Sequence, residues 1–348
     1  MEIPKITMTM LGASGSGKTM FLHGMYATLS AGIAGYFVYT RDPDHDIDLM
    51  DTWDRLNDEG VLPPPTEEVP TPYDFVLKHG ITPLISIDCL DFRGGATDAR
   101  STSAADTAQL LNRLRISDTI YLALDGQHVG EWVNNLVPGG RANRARDPMK
   151  VARLSMFIQQ AAEARMASGK PAPSIVVLIT KADVLPAVTG MRKAEALRLA
   201  VENMDQIVPV VYSQGITALV CPVQIGNFGI EKHNMVDPTT VDPVGLHRPF
   251  IFSLWHFLTE VIQSDEETMR AIADSRSAAH EELSQLKGGF WRELFNGSRI
   301  SSLSQSLENW DQEKARVDQN IRTARDRAGV LMEQLAKLPI LKDGKLQV

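Results

Sequence analysis

The chain holds only two cysteines in 348 residues, Cys89 and Cys221, and each stands in an apolar, strand-like run. Buried free thiols are expected there rather than a disulfide, which suits a reducing compartment. Aromatic residues make up 6%, and basic residues are outnumbered, 35 Lys and Arg against 43 Asp and Glu. The formal net charge of −8 argues against a general nucleic-acid binder, which carries a basic excess. No apolar run approaches the length of a membrane span. Met1-Glu2-Ile3-Pro4-Lys5 has neither the basic nor the long apolar region of a signal peptide, so a cytoplasmic location is expected. The histidines lack metal-ligand spacing, and no zinc site is predicted. Asp42, Asp44, Asp46 and Asp48 alternate as in a calcium loop, but the glycine and closing glutamate are missing, so a solvated loop is expected.

What is present begins with Gly12-Ala13-Ser14-Gly15-Ser16-Gly17-Lys18-Thr19, set between the apolar run Ile6 to Leu11 and a helical stretch from Met20 to Leu29. Glycine, four residues, then Gly-Lys-Thr is the phosphate-binding loop pattern. Glycines let successive N–H groups, from Ser14 and Gly15 through Ser16 and Gly17 to Met20, turn toward a phosphate, and the following helix adds its positive dipole end. Lys18 would reach the β and γ phosphates, and the Thr19 hydroxyl would ligate Mg²⁺. A triphosphate site is implied.

Downstream, strand-like runs alternate with helical ones. Ala34 to Thr40, Tyr73 to Leu77, Leu84 to Phe92, Thr119 to Leu124, Ser174 to Thr180 and Ala218 to Val223 read as strands. Ala104 to Leu114, residues 149–167 and Lys193 to Met204 read as helices, residues 50–58 as one or two helical turns, and residues 126–148 as irregular. Alternation of this kind implies an α/β fold, a mostly parallel sheet with helices on both faces. From about Pro249 the pattern changes. Leu303, Leu307, Trp310, Lys314, Val317, Ile321, Ala324, Ala328, Leu331, Leu335 and Leu338 follow one another in steps of four and three, a coiled-coil seam. A similar helical stretch precedes it, so an antiparallel hairpin is expected, with pairing within one chain or between two left open. The expected domains are 1–262 and a helical arm, 263–348. Phe290 to Phe295 would lie at the arm's tip, as a packing cap, a partner contact or a membrane-surface contact.

Two more motifs end strands. Asp91-Phe92-Arg93-Gly94 follows Leu84 to Leu90. An acid there can hold Mg²⁺ through water, and the Gly94 N–H can meet a γ-phosphate. Thr180-Lys181-Ala182-Asp183 ends the run from Ile175. Guanine presents a ring N–H and an amine side by side, and the Asp183 carboxylate can accept from both, while Lys181 lays its stem along the base.

With these motifs in this order, the chain resembles the G domain of Ras-like and translation-factor-class P-loop GTPases over roughly residues 5–262. The loop at 62–66 and the added arm resemble bacterial multi-gene GTPase systems more than eukaryotic signalling ones. The resemblance implies binding of GTP and GDP with Mg²⁺, GTP hydrolysis and signalling to a protein partner through loops that respond to the γ-phosphate. It implies a Mg²⁺-ligating threonine, Thr66 ahead of Thr71, beside the metal positions Thr19 and Asp91. It also implies a backbone contact to the guanine carbonyl near Val223 and Gln224. Where the family carries a water-orienting glutamine this chain has Gly95, so slow intrinsic hydrolysis is expected, with Arg93, Arg100, Arg141, Arg144 and Arg146 as candidate sources of positive charge. The alternative is a nucleotide-binding assembly module with little turnover, whose arm recruits a protein or a second copy of the chain.

Overall fold

A run with no polar break, such as Ile175 to Ile179, is stable only where both faces of a strand are covered. The computed structural model describes residues 3–33, 35–63, 70–92, 104–136, 148–230, 235–287, 297–336 and 338–347. Its strands are β1 (Lys5–Gly12), β2 (Tyr36–Thr40), β3 (Thr71–His79), β4 (Thr82–Asp91), β5 (Thr119–Asp125), β6 (Ser174–Thr180) and β7 (Thr217–Pro222), then β8 (Gln224–Gly226), β9 (Val241–Val244), β10 (Ile340–Lys342) and β11 (Lys345–Gln347). The helices run from α1 (Lys18–Ser30), α2 (Pro43–Glu59), α3 (Ala104–Ile116), α4 (Gly126–Leu136) and α5 (Val151–Ala167) through α6 (Leu185–Thr189), α7 (Lys193–Glu202) and α8 (Met204–Ile207) to α9 (Arg248–Lys287) and α10 (Gly297–Leu335). The chain divides into two compact units, Met1–Ser253 with Lys337–Val348, and Leu254–Ala336.

In the first unit the sheet order is β11-β10-β7-β6-β5-β1-β4-β3-β2. Pairings from β4 through β1, β5 and β6 to β7 are parallel, and β2, β3, β10 and β11 join antiparallel. This is a mostly parallel sheet, lengthened at both edges by antiparallel strands. Side chains alternate between faces. Ile120, Leu122 and Leu124 of β5 share a core with Leu110 of α3, Leu154 of α5 and Ala196 of α7. Tyr121 points the other way, to Phe21 of α1 at 6.2 Å between ring centres, and shares a 2.8 Å hydrogen bond with Ser253 of α9. Helices therefore cover both faces. After β1 the chain builds to one side through β4 and to the other through β5, so strand order reverses at β1. Ligands of such sheets bind in the crevice at the strands' carboxyl ends at this reversal.

Three stretches differ from the sequence reading. The aspartate-rich stretch is helix α2, with Asp42 accepting from Asp44 N–H at 3.0 Å, Pro43 at the first position and Gly60 closing it in the left-handed region. Capping chemistry had been masked by the charge density. Residues 126–136, expected to be irregular, form α4, with Val129 and Val133 on its buried side. Residues 340–347, expected in the arm, return to the sheet as β10 and β11, with Ile340 paired to Leu219.

The second unit is a helical pair. Glu266 bonds Arg325, Arg276 lies 3.0 Å from Asp311 and Glu282 lies 2.8 Å from Arg299, so numbers rise on one helix as they fall on the other. The pairing is antiparallel and within one chain. Ala279, Leu303 and Leu307 are buried together, with Leu283, Leu286 and Trp310 against them. Of the expected seam, Lys314 is exposed and Leu338 lies beyond the end of α10. No described helix is long and apolar enough to cross a membrane.

Candidate phosphate and base site

The loop from Gly12 to Gly17 leaves β1 and enters α1 without a spacer. Gly15 and Gly17 have φ of 76° and 77°, a region that side chains disfavour, and these two residues let the loop curl over the helix start. Ser14 and Gly15 are exposed at its crest. Lys18 is buried, and its ammonium donates to the carbonyls of Gly12 and Ala13, both at 3.1 Å. Burial pushes its pKa down, and the Asp91 charge pulls it partly back.

Asp91 ends β4, parallel to β1, which brings its carboxylate to the first turn of α1. The Thr19 hydroxyl donates to Asp91 Oδ2 at 2.8 Å. Asp91 is fully buried, and burial pushes its pKa up against the opposing effects of Lys18 and Thr19. Its other oxygen, Oδ1, and the Ser16 hydroxyl are buried without a hydrogen-bond partner among the described residues. Two unsatisfied buried oxygens beside a lysine at a helix N-terminus are the residues a magnesium–phosphate group would complete, and hard oxygen donors are the type Mg²⁺ takes. Among the described residues no cluster of three or more His, Cys, Asp or Glu could hold a metal. A Mg²⁺ ion here would share its shell with Thr19, Asp91 and phosphate oxygens.

The end of β6 is bound to this loop. Thr180 Oγ1 donates to Ser16 O at 2.7 Å and Leu124 O at 3.0 Å. Lys181 Nζ donates to Gly15 O at 2.9 Å and to Asp125 Oδ2 at 2.6 Å. Asp183 Oδ2 accepts from Phe228 N–H at 3.2 Å. Burial pushes the Asp183 pKa up, opposed by its own and Phe228's backbone N–H groups and by Lys193 and Lys181.

The structure thus brings together Gly12 to Met20, Asp91, Thr180, Lys181 and Asp183. Val223 and Gln224 lie next to them but are otherwise engaged. Val223 N–H donates to Ile179 O at 2.9 Å, and the Gln224 side chain accepts from Lys193 and donates to Asp242 O at 3.3 Å. Thr66, Arg93, Gly94, Gly95, Arg100, Arg141, Arg144, Arg146 and Phe290 to Phe295 lie outside the described residues. Thr71 opens β3, paired opposite Asp91. Sequence reasoning passed over Asp125, Phe228 and Lys193. Asp125 had a signal, an acid closing an apolar strand, whereas Phe228 acts through its backbone and had none.

The chain is similar in structure to the Ski7 GTPase-like domain of S. cerevisiae. Against its GTP-bound structure the identity is 14%, the match covers 72% of this chain and 50% of that one, and the TM-score is 0.36. Against the structure with GDP and inorganic phosphate the values are 12%, 64%, 43% and 0.32. This chain therefore spans half or less of the length of each. No family model and no curated protein sequence matches it.

Proposed function

We propose that the protein is a guanine-nucleotide switch that binds GTP and GDP with Mg²⁺ and hydrolyses GTP slowly to GDP and phosphate. The observation that carries this reading is the attachment of Thr180 and Lys181 to the phosphate loop at Ser16 and Gly15. One bonded unit then presents phosphate donors at one end and the Asp183 carboxylate at the other. A site for phosphate alone needs no such link.

Lys18 would exchange its two carbonyl partners for β and γ phosphate oxygens, and the anion that replaces them would favour its charged form against the effect of burial. Asp183 would accept from the guanine ring N–H and amine in place of the Phe228 N–H. Bound Mg²⁺ supplies charge that stabilises the phosphoryl oxygens as the bond to the γ-phosphate breaks. Thr19 and Asp91 would hold that ion, and Thr66 and Gly94 are the proposed sensors of the γ-phosphate. With Gly95 in place of glutamine, attack by water lacks an orienting side chain from this position, and a protein partner acting at the switch loops or the arm would accelerate it.

Calorimetric titration with GDP, a non-hydrolysable GTP analogue and the matching ATP analogue tests the reading. Guanine nucleotides are expected to bind more tightly, and tighter ATP-analogue binding would sink it. Gly95 also favours a second reading, an assembly module with negligible turnover. Phosphate release under single-turnover conditions separates the two, since the switch converts all bound GTP, slowly, and the assembly module does not.

A further inference from the structure

We infer that Asp125 is a positioning residue of this site, which holds the Lys181 ammonium and so ties the base-side strand end to the crest of the phosphate loop. The inference rests on the nucleotide reading above. Asp125 is the last residue of β5, and α4 starts at the next residue. One carboxylate oxygen caps that helix, accepting from Gln127 N–H at 2.9 Å. The other accepts from Lys181 Nζ at 2.6 Å, and the same ammonium donates to Gly15 O at 2.9 Å. The cap fixes the carboxylate's rotamer, so its second oxygen is aimed before Lys181 arrives.

Two further observations show that the Lys181 peptide is held in an otherwise unfavourable place. Lys181 has φ of 47°, in the left-handed region that non-glycine residues seldom occupy. A Cβ on Gly126 would lie 2.5 Å from Thr180 O and 2.6 Å from Lys181 O, so the start of α4 seats directly on that peptide. The Asp125 side chain is only 14% exposed, against 45% for Lys181. The anchor is therefore the more rigid member of the pair. Three strand ends, β1 through Gly15, β5 through Asp125 and β6 through Lys181, meet at one ammonium group. Its methylene stem is the part of Lys181 that a base would lie against.

The test uses the full chain as wild type, Asp125→Ser, Lys181→Met and the double variant. Serine still caps α4 but is too short to reach Lys181. Methionine keeps the stem without the charge. Amide hydrogen exchange across residues 12–19 is read without nucleotide, and GDP affinity is read in Mg²⁺ buffer. Asp125→Ser is expected to speed exchange and weaken GDP by about fivefold each, the scale of one partly exposed ion pair. In the Lys181→Met background the same change is expected to alter neither by more than about twofold, because coupled residues are not additive. Equal effects in both backgrounds would mean that Asp125 does not act through Lys181, no effect in either readout would leave Asp125 a helix cap and nothing more, and each result would overturn the proposal. Asp125→Asn, run alongside, carries the same comparison where the serine variant does not fold. A wild type that binds no guanine nucleotide overturns the proposed function instead, and the exchange comparison shows the difference because it needs none.

Discussion

Asp91→Asn is expected to make the nucleotide-free protein more stable while removing the response to Mg²⁺. The carboxylate is fully buried, its Oδ1 has no donor among the described residues, and burial holds its pKa above the ordinary carboxylate value. By linkage, a carboxyl whose pKa is raised on folding adds stability below its unfolded pKa, and that stability is lost as pH rises through the folded pKa. At neutral pH the charge therefore opposes folding. An unmatched buried polar atom costs about 1–3 kcal/mol, and the asparagine removes the charge that makes this one expensive. The Thr19 hydrogen bond becomes neutral and the attraction to Lys18 is lost, which returns about 1 kcal/mol. A net gain of about 1 kcal/mol corresponds to a rise of about 2–4 °C in Tm for a domain of this size. Thermal unfolding checks this with and without GDP and Mg²⁺. Wild type at 100 times Kd gains about 2.7 kcal/mol from ligand, and the part of that gain that depends on Mg²⁺ should vanish in the variant. The advantage of Asn should also shrink as pH falls and Asp91 protonates. A variant that is less stable at pH 7, or that keeps the wild-type response to Mg²⁺, would refute the reasoning.

Asp183→Asn should lower GDP affinity about 100-fold, two charge-assisted hydrogen bonds being lost, and admit xanthine nucleotides, whose carbonyl pairs with an amide donor. Competition titration reads both changes, and an unchanged base preference counts against the role given to Asp183. Because burial raises the Asp183 pKa, GDP affinity measured without Mg²⁺ should begin to fall, as pH is lowered, at a pH above the ordinary carboxylate value of about 3.9, and Asp183→Asn should flatten that profile. Arg113→Met removes bonds to Asp88 Oδ1, Asp88 O and Met8 O beneath the sheet, and should cost about 3 kcal/mol in denaturant unfolding. Burial pushes the Asp88 pKa up, but the bonds and charges of Arg113 and Lys5 outweigh it and hold the carboxyl low. That stability is present above the unfolded pKa and lost as pH falls through the folded one, so the gap between wild type and Arg113→Met should narrow in acid.

The phosphate loop, the strand ends at Asp91 and Thr180, and most of the buried residues of the helical seam were legible in the amino-acid sequence. Each is a local pattern. A phosphate loop needs glycines and a lysine at set spacing, a doubly covered strand needs an unbroken apolar run, and a helix pair needs apolar residues every three or four positions. Sequence alone therefore determined the α/β class, the order of the motifs and the residue types lining the loop from Gly12 to Thr19. Only the tertiary structure decided what depends on partners distant in the chain. Ile340 to Lys342 are too short and mixed to announce a strand, and become one because β7 offers an unpaired edge. Val223 N–H is taken up by Ile179 O and Phe228 N–H by the Asp183 carboxylate, pairings that no local pattern announces. Asp125 is an ordinary acid at a strand end until Lys181, 56 positions away, places its ammonium between that carboxylate and Gly15. Hydrogen bonds of this kind are settled by which strands become neighbours in the sheet, and local periodicity carries no record of that.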